Sequence, residues 1–435
     1  MTAIEGFHRW CIRNPAEIAA SVRHVRSRLP QLHALFADRP TPFSLTPFLF
    51  SRRQFNLLSS LSSSLSGILE EVGRRALSDE SLLSVYQFPN FFLRELGVSP
   101  GYARLAPILR LDGHFVKGVF RLVETNADGS AGMNDSNAIE QASGETRAYR
   151  YFQGRIDLVS CEMVPSLAKM LVRYARRWSK AGDRHPVIGI LDIPGMATAS
   201  EFIAVQEAIR RRGADALIVT PADLTYRSGL RAGSVRLDMI YRRLVTADAL
   251  SRWNTLAPLR RAHRANQVGL VGSFRSELLH SKAILVLLND PRAIAGLSPA
   301  DRRHLIRHVP VARLLTQTAA EESMVRRGRW VIKPLDAYGS RGVSIGRQMS
   351  SMRWRQSIRA ALDRGRYMIQ EYVESPRGPV LRMRGGRPVV SAEMTSVGFF
   401  VYDGNLAGPY IRSGPAHPLS IFRGAVTRPG FMVNG

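Results

Sequence analysis

Apolar positions along this 435-residue chain recur in two rhythms, and each predicts its own kind of element. Leu58, Leu61, Leu65, Ile68, Leu69 and Val72 fall three or four residues apart, which lines them along one helix face. Leu167, Met170, Leu171, Tyr174 and Trp178 repeat that spacing. Residues 1–95 read as helical and carry no nameable chemistry, so they are expected to pack rather than react. Short unbroken apolar runs predict buried strands instead. Residues 186–192 form one such run and residues 214–220 the next. Between them Thr198 and Glu201 have the spacing of a capping box, residues 202–212 the pattern of a helix, and Gly213 ends it. This is a βαβ unit with parallel strands. It lacks Gly-x-Gly-x-x-Gly, so no dinucleotide is assigned to it.

Further along, residues 235–243 read as a strand with Asp238, Arg242 and Arg243 near its end, as compatible with surface charge as with substrate contact. Residues 278–288 read as an apolar helix bearing Ser281 and Lys282. Residues 389–397 and 399–402 read as two strands, with Glu393 on the first as a structural or solvent partner. Earlier in the chain, two apolar strands at 106–109 and 115–123 flank Arg110, Leu111, Asp112, Gly113 and His114, which read as a hairpin turn. The second strand runs on through Glu124 and Asn126, and period-two alternation puts those two on the same side. A hairpin partner brings Asp112 beside them, so three hard oxygen donors converge in the kind of set magnesium accepts. Residues 129–160, rich in Gly, Ser and Asn at first, read as a substrate-side loop.

The most informative stretch is 330–373. A short apolar strand, Trp330, Val331 and Ile332, delivers Lys333 and Pro334 at its end. Asp336, Ala337, Tyr338, Gly339, Ser340, Arg341 and Gly342 follow, and the two glycines permit positive φ and close approach of backbone N–H groups to an anion. A second strand at 343–345 leads out, a polar helical stretch comes next, and a third strand ends in Gln370, Glu371, Tyr372 and Val373.

In that order, these pieces resemble the nucleotide cleft of the ATP-grasp superfamily. The resemblance implies that Lys333 touches the α- and β-phosphates, that Gly339, Ser340, Arg341 and Gly342, with Tyr338, form a mobile lid, and that Gln370 to Val373 sit beside adenine. It makes Lys282 the second nucleotide lysine. In most of that family Glu-x-Asn follows the nucleotide subdomain, whereas here Glu124 and Asn126 precede it. That order is similar to the circularly permuted branch, the glutathionylspermidine synthetases. These carry a like Arg-x-Asp and, twelve residues after the Asp, a Glu-x-Asn, matched here by Arg110, Asp112, Glu124 and Asn126. The match implies that Arg110 steadies the transferring phosphate while Asp112, Glu124 and Asn126 hold Mg2+. The late Gly408-Pro409-Tyr410-Ile411-Arg412 segment resembles that branch too, and Arg412 is suited to clamp an acyl phosphate or carboxylate bidentately.

Composition changes this picture in two places. Formal charge is +26, an attraction for acidic partners including non-specific polyanions. Only five residues are lysine, which sharpens the reading of Lys282 and Lys333 because ammonium and guanidinium are not interchangeable at a phosphate. Cys11 and Cys161 are too few for a disulfide framework or a Cys-rich zinc site. With no signal-peptide core and no membrane-length apolar run, the expected location is cytoplasmic, without membrane contact.

The expected class is α+β or α/β: a circularly permuted ATP-grasp fold with a Rossmann-like domain before the grasp and a helical N-terminal segment. The expected divisions are 1–100 helical, 101–165 metal-binding, 166–275 Rossmann-like and 276–435 nucleotide-binding. The expected activity is an ATP-dependent carboxylate–amine ligase using ATP and Mg2+, with a small-molecule or peptide carboxylate and an amine as partners. A grasp-fold kinase and a non-catalytic nucleotide- or nucleic-acid-binding protein are the alternatives.

Overall fold

Lys117 and Gly118 both adopt left-handed backbone, φ 49° and 78°, the conformation a two-residue hairpin turn demands. The turn therefore lies beyond residues 110–114, which sit inside the strand Ile108–Val116 and not at a turn as expected. The computed structural model describes residues 2–179, 185–337 and 339–434. In it Ile108–Val116 pairs antiparallel with Val119–Asn126, Asp112 opposite Glu124 and Arg110 opposite Asn126, with a register shift just after Asp112. Antiparallel pairing of these particular residues survives the misplaced turn.

This hairpin completes a six-stranded sheet whose other members come from the end of the chain. Arg387–Tyr402 is one sixteen-residue strand where two were expected. Its first part pairs with Arg377–Arg384 and its second with Ile108–Val116, so its backbone never lacks a partner. Asn405–Gly414 covers its other edge, and Val426–Arg428 follows. Phe115, Phe120 and Phe399 meet edge to face beneath the sheet.

A second, four-stranded sheet orders Ala312–Leu314, Tyr367–Glu371, Trp330–Pro334 and Ser344–Ile345, antiparallel throughout. Alternation sends Trp330, Ile332 and Ile369 to one face, where Trp354 and Ile358 of the helix Ser351–Arg364 cover them. Val331, Lys333 and Gln370 take the opposite face. A third sheet is parallel, in the order Gly269–Val271, Met239–Arg242, Val187–Leu191 and Asp215–Val219. The helices Met163–Trp178 and Ser200–Arg210 bury their apolar stripes against it.

Several local expectations change. The N-terminal region is mostly helical, yet Leu35–Phe36, Arg39–Pro40 and Phe48–Ser51 are strands, and the last runs parallel to Gly430–Asn434. Residues 129–160 are not chiefly loop: they contain the largely buried helix Met133–Gly144. Glu201 does not cap Ser200–Arg210, because its buried carboxylate accepts from the N–H groups of Gly132 and Asn134 at 2.9 and 3.0 Å. Residues 235–243 divide into Val235–Arg236 and Met239–Arg242 in different sheets. The helix expected at 278–288 breaks at Ser281 into Glu277–His280 and Ala283–Leu287. Among the described residues no helix is long and apolar enough to cross a membrane.

Candidate active site

The face of the second sheet that carries Val331, Lys333 and Gln370 looks across a cleft toward the hairpin of the first. Asp112, Glu124, Lys282, Lys333, Ser340, Gln370, Glu371, Tyr372, Val373 and Arg412 all line it, so residues scattered over three hundred positions of sequence share one space. Arg110 and Asn126 stand directly behind, bonded to Asp112. Gly339, Arg341 and Gly342 belong to the adjoining loop without lining the cleft, and Tyr338 lies outside the described residues. Gly339, Ser340 and Gly342 all have positive φ, and a Cβ on Gly342 would press on Pro334 and the Tyr367 hydroxyl.

Asp112 is 2% exposed and heavily engaged. Arg110 grips it bidentately, Nε to Oδ1 and Nη2 to Oδ2 both at 2.8 Å, while Asn126 Nδ2 and Arg412 Nη2 reach Oδ2 at 3.0 and 3.3 Å. Space for this grip depends on Gly398 across the sheet, where a side chain would collide with Asp112 Oδ1 and the Arg110 stem. Burial opposes the Arg110 charge, but the Asp112 carboxylate overrides it and holds the guanidinium more firmly protonated than usual.

The two lysines are held differently. The break at Ser281 turns Lys282 into the cleft, where Nζ lies 2.9 Å from Glu124 Oε1 and donates to Ala337 O at 2.6 Å. Lys333 Nζ donates to Gln370 Oε1 at 2.7 Å and to Val123 O at 3.0 Å, neutral acceptors both. Desolvation would raise the Glu124 pKa, yet Lys282 and Lys333 pull it down to about 2, so the carboxylate is ionised. Desolvation dominates at Lys333 and lowers it to about 8 despite Glu124 nearby.

Reading by motif missed the wall opposite the second sheet: His114, Ser396, His417, Pro418 and Leu419. The His417 ring packs edge-on against His114 at 5.1 Å and lies perpendicular to Tyr372 at 6.1 Å. Burial pushes His114 and His417 down to about 3 and about 4, so this wall is uncharged at neutral pH. No sequence signal marks His417, whereas Val331 lies two residues before Lys333 on one strand and so shares its face, and Ile345 joins them by pairing with Val331.

The oxygen donors of Asp112, Glu124 and Asn126 stand on adjoining strands and suit a hard divalent cation in kind. Among the described residues no three His, Cys, Asp or Glu side chains converge, so the third donor in such a set is the Asn126 amide. Arg110, Lys282, Lys333 and Arg412 attend Asp112 and Glu124, and the third lining carboxylate, Glu371, is paired with Arg329 and Arg121, which leaves positive charge over for a polyanionic ligand.

No protein-family model and no curated protein sequence matches this chain. Among solved structures, a glutathione synthetase-like effector from Globodera pallida, in apo form, superposes with TM-score 0.65 at 12% identity over 96% of this chain and 97% of its own. The chain has an ATP-grasp fold. A gamma-glutamylcysteine synthetase-like protein from Methylobacillus flagellatus follows at TM-score 0.45, 11% identity, 83% of this chain and 88% of its own. A D-alanyl-alanine synthetase A from Vibrio cholerae gives 0.29, 10%, 57% and 88%. Only the first superposition is close enough to bear on the ATP-grasp fold, and at its identity it speaks to fold alone.

Proposed function

We propose that this protein is an ATP-dependent carboxylate–amine ligase of the circularly permuted ATP-grasp type, working through an acyl phosphate. One observation carries the reading: Lys282, Lys333, Glu124 and Asp112, drawn from separate parts of the chain, meet on one cationic cleft beside the strand end Gln370 to Val373. ATP would lie with its base against Val331, Ile345 and Tyr372 and its phosphates toward the lysines. Asp112, Glu124 and Asn126 would hold Mg2+, which when bound offsets phosphate charge. Arg412 would grip the carboxylate as it accepts the γ-phosphoryl group, and Arg110 would hold Asp112 in place. The amine then displaces phosphate. No side chain needs to attack: burial pushes both Cys11 and Cys161 up to about 12, so neither is a thiolate at neutral pH.

A second reading, nucleotide binding without turnover, draws on the saturation of Asp112 by Arg110, Arg412 and Asn126. The deciding experiment supplies ATP, Mg2+ and a cell extract and looks by mass spectrometry for products in which two components join with loss of water. A ligase releases ADP and phosphate only with both substrates, a kinase with one, a binding protein with neither.

A further inference from the structure

We infer that Gln370 is a positioning residue for Lys333: its side-chain carbonyl aims the ammonium into the cleft while leaving the positive charge unspent for an anionic ligand. The inference rests on the nucleotide reading above and assigns the Gln370 side chain a task separate from contact with a base.

The pairing Val331 with Gln370 and Lys333 with Met368 places Lys333 and Gln370 diagonally on the cleft face of adjoining strands, within reach of each other. Gln370 Oε1 lies 2.7 Å from Lys333 Nζ, and Val123 O takes a second proton at 3.0 Å. An ammonium has three donors, so this cradle fixes its direction and leaves one proton for a ligand. Neither acceptor carries charge. Lys282 makes the contrast, since Glu124 already compensates it at 2.9 Å. Gln370 is 2% exposed, and its Nε2 has no partner among the described residues. A buried amide with an unspent donor is costly for packing alone, and its carbonyl contact with Lys333 gives it a purpose. The charged groups around Lys333 are Glu124 and Lys282, with His114 and His417 on the far wall.

Binding of trinitrophenyl-ATP, followed by fluorescence with ATP as competitor, tests this on four proteins: wild type, Gln370→Met, Lys333→Ala and the double variant. We expect Gln370→Met to weaken ATP at least fivefold in the wild-type background and less than twofold in the Lys333→Ala background. Equal losses in both backgrounds would overturn the role of Gln370, because its side chain would then act on the ligand independently of Lys333. Unchanged affinity in Lys333→Ala would overturn the nucleotide reading itself, and the inference with it. Gln370→Glu keeps the shape and guards against a misfolded methionine variant. Its carboxylate would pair with the ammonium and weaken ATP at least tenfold, and wild-type affinity in that variant would also sink the inference.

Discussion

Two crevices of this molecule are built from the same residue types and do opposite things with them. Open parallel sheets ordinarily receive ligands beyond the carboxyl ends of strands where the order reverses. Here that place lies past Leu191 and Arg242, and the chain's own residues 128–134 fill it. Asp128 and Arg242 form a fully buried ion pair, Arg243 pairs with Glu201 at 2.8 Å and donates to Ser130 O, and Thr246 N–H donates to Asp128. Gly129, at φ 61°, passes so close to the Arg243 carbonyl that a side chain would not fit. In the open cleft, by contrast, Lys333 has only neutral hydrogen-bond acceptors, and of the three lining carboxylates Glu371 is taken up by Arg329 and Arg121 behind it, so positive charge is left over around Asp112 and Glu124. Charge that is matched acid to base closes a crevice, and charge left over keeps one ready for a ligand. The two are also linked, since the plug begins two residues after Asn126 and anchors the strand end that carries Glu124.

The largest effect is expected from breaking the closed crevice. Asp128→Ala strands a buried guanidinium, and removing one partner of a buried pair typically costs about 3–5 kcal/mol. Chemical denaturation should show a loss of that order, and a change under about 1 kcal/mol would mean that the plug is held by something else. Breaking the open cleft should instead spare the fold. Lys333→Ala should weaken ATP by about 2–3 kcal/mol, as for a charge-assisted contact, measured by calorimetry. Lys333→Met should leave the apo protein at least as stable as wild type, because it removes a desolvated ammonium that no carboxylate partners directly. A marked drop in melting temperature would erase the contrast between the two crevices.

Titration sharpens the same contrast. Burial brings Lys333 from 10.5 to about 8, so above that pH the empty cleft loses a charge it needs. ATP affinity should be level below pH 8 and decline above it, with proton uptake on binding near pH 8 seen as buffer-dependent heat. Apo stability moves the other way: between about 8 and 10.5 the unfolded chain holds more protons at this lysine, so stability rises with pH there. Comparing wild type with Lys333→Met isolates both trends, and identical profiles would remove Lys333 as their source.

What could be read from sequence follows the same division. Lys333 and Gln370 to Val373 were brought to one site by the family resemblance, and alternation within each strand agrees with it, putting Val331 with Lys333 and Gln370 with Tyr372. Across the hairpin, register does depend on the turn: one at Lys117 and Gly118 alone would set Asp112 opposite Val123, and the register shift just after Asp112, which alternation does not announce, sets it opposite Glu124. The plugged crevice was illegible. Arg242, Arg243 and Asp128 look like surface charge until a partner from more than a hundred residues away buries them, and no periodicity carries that information. Nor does an apolar run from 278 to 288 announce a break at Ser281, which alone turns Lys282 toward Glu124.

A more modest effect is expected when Glu124 loses its charge. Glu124→Gln removes an oxygen donor that faces the cleft and is a third exposed, so it should raise the Mg2+ needed for half-maximal turnover while shifting stability little. Normal turnover at limiting Mg2+ would take Glu124 out of the metal site.

The smallest effect expected is that of nucleic acid on turnover, despite the net charge of +26. Part of the arginine excess is spent inside the protein: Arg242 and Arg243 in the plug, Arg382 on Glu393, Arg260 and Arg264 on buried Glu95. Others, including Arg210 to Arg212, Arg303, Arg307 and Arg326, stand exposed on helices and loops well apart in sequence. Such a surface attracts any polyanion through phosphate neutralisation, so RNA and heparin should bind with similar steep log–log salt slopes and no sequence preference. The open cleft draws its own field from Lys282, Lys333 and Arg412 and does not depend on that surface. RNA should therefore change ATP turnover less than about twofold at physiological salt, where screening reduces charge effects beyond about 8 Å. A defined RNA that accelerates ATP hydrolysis tenfold under those conditions would show that the exposed arginines feed the cleft and that RNA supplies a substrate.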